Sequence, residues 1–262
     1  MKLLFVGDVF GKPGRRALAN HLPRLIDHQR ADFVIVNVEN AAGGFGVTPD
    51  IMAEFEPLGI HCYTSGNHIW DKKEGVALLD KLPNLLRPAN YPAENPGTGV
   101  FVGETAAGIP VAVLNLQGRV FMDPLDSPFE MANRLLAKLD PAIKVIFVDF
   151  HAEATSEKVA MGFHLDGRVS AVIGTHTHVP TADERVLPQG TAFQTDAGMT
   201  GPYESIIGVR IDRIVKRFLT QTPTPFEVAK QDVRLAGAII DIDETTGKAR
   251  SIERVMVKDQ PA

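Results

Sequence analysis

Five short apolar segments of this chain each lead into a polar residue of a kind that binds metal ions. In chain order, the segments end at Asp8, at Glu39-Asn40, at Asn67-His68, at His151, and at His176 with His178. Short apolar runs between stretches of helical spacing are typical of strands that are buried on both faces. The pattern therefore predicts an α/β fold in which the strands are sandwiched between helices.

We expect residues 1–262 to form a single domain with an antiparallel tail and no internal repeat. The predicted strands cover 3–6, 33–38, 60–64, 100–103, 111–116, 143–149, the run just before His176, a hairpin of 184–187 with 191–195, and finally 232–242 and 249–257. The predicted helices cover 15–29, Thr48 to about Leu58, 128–139, 155–165 and 209–218. Thr48-Pro49 has the form of a helix cap followed by proline at the first helical position. Residues 11–14, Gly-Lys-Pro-Gly, predict a turn.

The composition is that of an ordinary globular protein, and the sequence argues against a nucleic-acid-binding, a secreted or a membrane protein. The 262 residues are 44% hydrophobic and 23% charged, the net charge is −5, and no Lys/Arg cluster stands out. A stable nucleic-acid complex is therefore not expected. Asp8 interrupts the N-terminal apolar run too early for a signal peptide, and no apolar run reaches the roughly 18 residues of a membrane span. The single cysteine, Cys62, suits a reducing compartment, so we expect a cytoplasmic protein.

The polar residues at the five strand ends are expected to meet, because sites in open α/β sheets form beyond the carboxyl ends of the strands. One Asp or Asn at such an end would be ordinary turn chemistry. Two carboxylates, two carboxamides and four imidazoles instead predict a metal centre of Mn, Fe or Zn, since thiolates are missing from the set. These ligands are too many for one ion. Two ions about 3.5–4 Å apart that share a carboxylate would use them all, and such a pair hydrolyses phosphate esters.

The order of these residues resembles that of a known superfamily. Gly7-Asp8, Gly66-Asn67-His68, the lone His151 and Gly174-Thr-His176-Thr-His178 match the motif order of the calcineurin-like metallophosphoesterases. Phe10 departs from it, because the superfamily usually has histidine there, and Glu39-Asn40 stands where Gly-Asp is usual. Together with Asp196-Ala-Gly-Met-Thr-Gly-Pro202, these departures resemble the YmdB-like branch, and this resemblance covers essentially the whole chain.

The resemblance implies a four-layered α/β sandwich, with two sheets flanked by helices, that assembles into a homo-oligomer. It implies a metal-dependent phosphodiesterase acting on small phosphodiesters, in particular 2′,3′-cyclic nucleotides. It also implies the ligands: Glu39 bridges two ions, Asp8, Asn40 and His178 complete one shell, and Asn67, His151 and His176 complete the other. The carboxamides are expected to bind through oxygen. Iron or manganese is favoured, and zinc is also compatible.

His68 is the remaining imidazole, and we expect it to act as general acid. A hydroxide bridging the two ions would attack phosphorus while His68 protonates the departing ribose oxygen. The superfamily usually has a carboxylate at the next position, where this chain has Ile69, so Asp71 becomes the candidate for orienting the imidazole. A structural role behind the ligands is the alternative for His68.

Several alternatives stay open at the level of sequence. Phe10 leaves one ion more open or marks a weakened site, and the loop 43–46 either lets the backbone approach a substrate or is merely flexible. The segment 198–203 borders the active site or holds a neighbouring subunit. Trp70 and Tyr203 either stack on a base or pack inside the protein. Two other functions also remain: a broad phosphomonoesterase, and a metal-containing nucleotide-binding regulatory protein with little turnover.

Overall fold

The computed structural model describes residues 1–259, which contain twelve strands and six α-helices. The strands are β1 (Lys2–Val6), β2 (Phe33–Asn37), β3 (Cys62–Thr64), β4 (Val100–Glu104), β5 (Pro110–Gln117), β6 (Val145–His151), β7 (Ala171–Thr175), β8 (Arg185–Val186), β9 (Ala192–Gln194), β10 (Gly201–Pro202), β11 (Val233–Ile242) and β12 (Ala249–Lys258). The helices are α1 (Gly11–Gln29), α2 (Pro49–Phe55), α3 (Lys73–Val76), α4 (Pro128–Leu136), α5 (Thr155–Leu165) and α6 (Ile211–Thr220), with 3₁₀ turns at Glu56–Leu58 and Asn67–Trp70.

The strands form two sheets. The first has the order β10-β11-β1-β2-β3, with β12 paired on β11, and the second has the order β4-β5-β6-β7-β9-β8. Pairing is parallel from β1 through β2 to β3, and from β5 through β6 and β7 to β9. The strands β11 and β12 pair antiparallel, and β11 lies beside β1. The predicted antiparallel tail is therefore confirmed.

Three apolar layers show how the sheets stack between helices. The middle layer joins the two sheets, and the rings of Phe5 in β1 and Phe147 in β6 lie there with their centroids 4.9 Å apart. A second layer packs α1 and α2 on the outer face of the first sheet, through Leu18, Leu22 and Phe55 among others. A third packs α4 and α5 on the outer face of the second sheet. The order helix, sheet, sheet, helix confirms the predicted four-layered sandwich.

The first helix begins earlier than its apolar spacing predicts. The predicted turn at 11–14 is wrong, because these residues form the first turn of α1. Pro13 is tolerated there since the N–H groups of a first helical turn have no partner within the helix. β6 also continues through His151, beyond its predicted end at residue 149. The predicted cap is confirmed, because the Thr48 hydroxyl accepts a hydrogen bond from the backbone N–H of Ile51.

The 3₁₀ turn at Asn67–Trp70 is an element that apolar spacing does not predict. It follows β3 directly and is too short to show a period of its own. Ile69 is fully buried in the layer beneath α1 and α2. This isoleucine therefore anchors the turn that presents Asn67 and His68, at the position where the superfamily usually carries a carboxylate.

Two further sequence expectations concern compartment and membrane. Cys62 is buried in the middle layer, where burial raises the pKa of its thiol, so it packs as a small apolar side chain. Among residues 1–259, no helix is both long and apolar enough to cross a bilayer. The single domain and the cytoplasmic location stay predictions.

Candidate metal centre

The carboxyl ends of the parallel strands in the two sheets meet at one site. Asp8, Glu39, Asn40 and Asn67 follow β1, β2 and β3 of the first sheet, while His151 ends β6 and His176 and His178 follow β7 of the second. We call these seven predicted ligands the candidate metal centre. Asp8, Glu39, Asn40, His151 and His178 are buried, and Asn67 and His176 are partly buried. The fold thus brings together residues from opposite parts of the chain.

Glu39 lies at the middle of the candidate metal centre. Glu39, His151 and His176 form one group whose potential ligand atoms all lie within 4.8 Å of one another, and Asp8, Glu39 and His178 form a second such group. Glu39 is the member that the two groups share. The geometry therefore allows the arrangement that the resemblance implies, in which one carboxylate bridges two ions.

The atoms around His151 are spaced as neighbouring ligands of one ion would be. Its Nε2 lies 3.1 Å from Oε1 of Glu39 and 3.1 Å from Oδ1 of Asn67. The same Nε2 lies 3.0 Å from Nδ1 of His176. Metal–ligand bonds of about 2.1 Å at right angles put neighbouring ligand atoms roughly 3.0 Å apart. Hydrogen bonds alone would need a proton between each of these pairs, so a cation suits the cluster better.

A chain of hydrogen bonds behind His151 decides which of its ring nitrogens faces the candidate metal centre. The Thr175 hydroxyl donates to Oδ1 of Asp149 at 2.7 Å, so its oxygen accepts from Nδ1 of His151 at 2.9 Å. In the neutral imidazole, a proton on Nδ1 leaves the lone pair on Nε2, as a metal ligand requires. Asp149 is fully buried and also accepts from Asn37 and Thr64. None of these supporting residues was predicted from the sequence.

His176 and His178 are oriented in the same manner. Nδ1 of His178 donates to the carbonyl of Ile207 at 3.0 Å, which leaves Nε2 facing Oδ1 of Asn40 at 3.2 Å. Nε2 of His176 lies 3.3 Å from Oε2 of Glu153, and Nδ1 is the ring nitrogen on the inner side, 3.0 Å from Nε2 of His151. In its neutral form each imidazole would therefore offer an unprotonated nitrogen to the candidate metal centre, while its second nitrogen faces an oxygen atom.

The glycine loop after β2 orients Asn40. Nδ2 of Asn40 donates to the carbonyl of Gly44 at 3.0 Å, so its oxygen faces inward, as expected of a carboxamide that binds metal through oxygen. Gly44 has a φ of 101°, in the region that favours glycine. The loop 43–46 thus holds a predicted ligand, which is a role that neither sequence interpretation of it included.

Gly66, which precedes the 3₁₀ turn, allows another close approach. A Cβ at this position would collide with the His151 ring and with the Glu39 carboxylate. Only glycine therefore fits between the end of β3 and these two predicted ligands, which come from different sheets.

The electrostatics of the candidate metal centre also fit a cation. Within residues 1–259, the buried Oδ1 of Asp8 and Oε1 of Glu39 have no hydrogen-bond partner. Burial raises the pKa of the Asp8 carboxyl well above its usual range. Burial opposes a charge on His151, but Glu39 and other carboxylates outweigh it and raise the pKa of His151 to about 9. Without a cation, these pKa shifts favour a proton on Asp8 and a second proton on His151, and metal binding would release such protons.

His68 borders the candidate metal centre and belongs to neither group. Its Nδ1 lies 2.8 Å from Oδ2 of Asp71, and its ring lies edge-on to Phe45 with the centroids 5.1 Å apart. Its backbone N–H donates to Oε2 of Glu39 at 3.2 Å. A cavity of about 330 Å³ opens here, lined by Glu39, His68, Glu153, His176, Thr177, His178 and Ile207. Asp71 lies where an orienting carboxylate would act, and Nε2 is the ring nitrogen that remains for a substrate.

Phe10, which stands in place of the usual histidine, packs against the candidate metal centre. It is 2% exposed, and its ring lies edge-on to His178 with the centroids 5.3 Å apart. Met199 and Val209 complete this small apolar cluster. The ring therefore fills the space beside His178 and supports the imidazole by packing.

Asp196 and Lys158 hold the turn between the two histidines. Oδ2 of Asp196 accepts from the Thr177 backbone N–H at 3.2 Å and from its hydroxyl at 2.7 Å. Nζ of Lys158 in α5 lies 2.6 Å from the same oxygen, and both side chains are 1% exposed. His176 and His178 have φ values of 99° and 66°, which are unfavourable for residues other than glycine. The buried pair thus holds a strained turn through Thr177.

The remaining candidates from the sequence pack within the protein. The Tyr203 hydroxyl donates to the Met199 carbonyl at 3.0 Å, and Trp70 lies edge-on to Tyr91 with the centroids 5.0 Å apart. Met199 and Tyr203 also line a cavity beside His178, so the segment 198–203 borders the site. His21, His61 and His164, to which the sequence assigns nothing, contact Asp259, Phe33 and Asn133.

Comparisons with known proteins identify the family of this chain. The YmdB-like protein family matches residues 4–255. A 2′,3′-cyclic-nucleotide 2′-phosphodiesterase of Bacillus subtilis (strain 168) is 50% identical over 259 residues, which are 99% of this chain and 98% of that protein. A hypothetical protein from Thermus thermophilus has a crystal structure with a TM-score of 0.93 and 43% identity, covering 99% of this chain and 100% of that one. The crystal structure of a phosphatase from Mycoplasma pneumoniae also gives a TM-score of 0.93. It is 36% identical, and the match covers 100% of this chain and 95% of that one.

These matches decide two of the predictions. Their names, phosphodiesterase and phosphatase, confirm the prediction of an enzyme that hydrolyses phosphoric esters. Their coverage, which is nearly complete on both sides, confirms the resemblance noted in the motifs. This chain is therefore a phosphoesterase, and it belongs to the YmdB-like protein family.

Proposed function

We propose that the protein hydrolyses 2′,3′-cyclic nucleotides with two metal ions held at the candidate metal centre. The observation that carries the proposal is the position of Glu39, whose carboxylate is common to two groups of potential ligands. The name of the Bacillus subtilis relative supports the substrate class. Asp8, Asn40 and His178 would hold one ion with Glu39, and Asn67, His151 and His176 would hold the other.

Neighbouring residues of the chain orient these predicted ligands. Thr175, Ile207 and Glu153 face the outer nitrogens of the three imidazoles, so that the inner nitrogens are available to metal. Bound ions would lower the pKa of a water and balance the charge of the phosphoryl group. The donor set of oxygens and imidazole nitrogens favours iron or manganese and also accepts zinc.

We propose that His68 protonates the departing ribose oxygen through Nε2. Substitution His68→Ala is expected to lower kcat on 2′,3′-cyclic AMP by about 10²–10⁴-fold, the usual contribution of a general acid. Metal content, measured by inductively coupled plasma mass spectrometry, should not change, because His68 belongs to neither ligand group. Asp71→Asn should cause a smaller loss of kcat. Full turnover in His68→Ala would leave this histidine with a structural role.

The substrate class is tested with metal-reconstituted protein. The values of kcat/KM are compared for 2′,3′-cyclic AMP and for the monoester 3′-AMP. We expect the cyclic diester to be preferred. A preference for the monoester would favour a broad phosphomonoesterase. Tight nucleotide binding with two metals present and negligible turnover would favour a regulatory protein.

Metal removal is expected to lower the thermal stability of the protein. An ion present at 1,000 times its Kd stabilises the folded state by about 4 kcal/mol, which corresponds to roughly 10 °C in Tm for a chain of this size. Differential scanning calorimetry with and without a chelator measures the shift. Glu39→Gln is the control, because a protein that has lost the shared ligand should respond much less. Equal shifts in both proteins would contradict the proposed site.

We further propose a cytoplasmic homo-oligomer that forms no stable nucleic-acid complex. Phe218 and Leu219 on α6 are 71% and 80% exposed, which supports self-association. The net charge of −5 argues against electrostatic binding to the phosphate backbone of a nucleic acid. Sedimentation velocity, with and without added RNA, tests the oligomeric state and the lack of an RNA complex. A monomer would contradict the first proposal, and a stable RNA complex would contradict the second.

A further inference from the structure

A second cavity opens beside the candidate metal centre. It has a volume of about 230 Å³ and is lined by Asn67, Gln117, Phe121, Met122, Asp123 and His176. Asn67 and His176 are predicted ligands, whereas the other four residues have no part in the proposed reaction. We propose that this cavity binds the nucleobase of the substrate, with Phe121 and Gln117 as the residues that recognise it. The inference rests on the proposed function, since it assigns a place to the part of a cyclic nucleotide that is not phosphate.

The position of the cavity suits the covalent structure of such a substrate. The cyclic phosphate spans C2′ and C3′ of the ribose, and the base is attached to the adjacent C1′. A base must therefore lie next to the phosphate and cannot reach a distant pocket. Asn67 and His176 border the cavity and also contact His151 in the candidate metal centre. The base of a nucleotide whose phosphate is bound at that centre can therefore reach this cavity.

Phe121 lies on a loop that hydrogen bonds hold in place, and its ring is exposed to solvent, which is unfavourable for an apolar side chain. It is 90% exposed, the largest value among the big apolar side chains of residues 1–259, and its φ is 61°. The Glu157 carboxylate accepts from the backbone N–H groups of Arg119 at 3.0 Å and Val120 at 3.2 Å. The N–H of Met122 closes the loop onto the Arg119 carbonyl at 3.3 Å. An exposed aromatic ring held in this way is suited to stack on a base.

Gln117 supplies an unused hydrogen-bond donor at the same cavity. The residue is fully buried, its Oε1 accepts from the Tyr91 hydroxyl at 3.2 Å, and its backbone N–H donates to Asn90 at 2.9 Å. Its Nε2 has no partner within residues 1–259. A buried donor without a partner is unfavourable, and a ligand acceptor would satisfy it. Every nucleobase carries ring-nitrogen or carbonyl acceptors on its edge, which makes a base the fitting class of ligand.

The test separates recognition of the base from hydrolysis of the phosphodiester. The kinetic constants of metal-reconstituted wild type and Phe121→Ala are measured on 2′,3′-cyclic AMP and on glycerol 1,2-cyclic phosphate, which has the same cyclic phosphodiester and no base. We expect kcat/KM on the nucleotide to fall about 10-fold, within the range of base–aromatic stacking, mainly through KM. The rate on the glycerol compound should not change. Phe121→Trp should retain the wild-type values, and Phe163→Ala, which removes a ring that is 53% exposed on α5, is the matched control.

The other outcomes overturn the inference. An unchanged KM for the nucleotide in Phe121→Ala would overturn it. If the sedimentation coefficient of this variant also changed, Phe121 would be identified as part of a subunit interface. Equal losses on both substrates would assign the loop a structural role. In each of these cases wild-type hydrolysis of the cyclic nucleotide leaves the proposed function intact. Failure of wild type on both substrates would instead overturn the proposed function and this inference with it.

Discussion

Replacing Glu39 with glutamine is expected to remove metal from both groups of the candidate metal centre and to lower kcat on 2′,3′-cyclic AMP by about 10³-fold or more. Glutamine keeps the size of the side chain and can still accept from the backbone N–H of His68, but it carries no charge to share between two cations. Metal ions supply several kcal/mol to catalysis of this kind, and each 1.4 kcal/mol is about tenfold in rate. Metal content and kcat are measured on the same preparation.

Glu54→Gln is the matched control for this substitution. Glu54 pairs with Arg15 on the surface and its side chain is 52% exposed, so its neutralisation should alter neither metal content nor kcat. Two bound metals together with wild-type turnover in Glu39→Gln would contradict the shared-ligand arrangement. Loss of a single ion with turnover retained would restrict the chemistry to one group.

Substitution Lys158→Met is expected to lower the free energy of unfolding by about 3–5 kcal/mol, because it leaves a buried carboxylate without its partner. Methionine keeps most of the aliphatic length of lysine, so the lost ion pair with Asp196 is the main change. We also expect weaker metal binding. Asp196 holds the strained turn through Thr177, and a displaced Asp196 would release the two histidines. Urea unfolding measures the stability, and metal titration measures the affinity.

Two comparisons make this result specific to the buried pair. In the double variant Lys158→Met/Asp196→Asn no unpaired charge remains, so the loss should be smaller than the sum of the two single losses. Arg254→Met breaks an exposed pair with Glu184, in which Arg254 is 44% exposed, and should cost only about 0–1 kcal/mol. Equal losses for Lys158→Met and Arg254→Met would contradict the argument from burial.

The location of the ligands follows from the sequence because their signal is local. Buried parallel strands are uninterrupted apolar runs, so a residue directly after such a run, such as Asp8 or Glu39, lies at the carboxyl edge of a sheet whatever the rest of the chain does. The α/β class follows in the same way, since the period of apolar residues distinguishes helices from strands, whereas the four-layered order with two sheets came from the resemblance. The division of ligands between two ions came from the resemblance and stays a prediction.

The supporting residues could not be predicted because long-range contacts place them. Asp149 sits within the apolar run of β6, and only the fold shows that it meets Thr175 behind His151. Gly11 and Pro13 predict a turn by composition, yet the start of a helix tolerates both residues. The exposure of Phe121 depends on a loop that Glu157 holds from α5, and no periodic pattern marks that loop.

The two sheets contribute predicted ligands to one candidate metal centre, so the packing of the protein interior affects the geometry of that centre. The middle apolar layer sets how far one sheet can slide on the other, and Oε1 of Glu39 and Nε2 of His151, which come from different sheets, are 3.1 Å apart. A change of side-chain volume at Phe5 or Phe147 would shift β1 against β6 and alter that spacing without touching a ligand. Variants selected for altered metal preference should therefore include substitutions deep in this layer as well as beside the candidate metal centre.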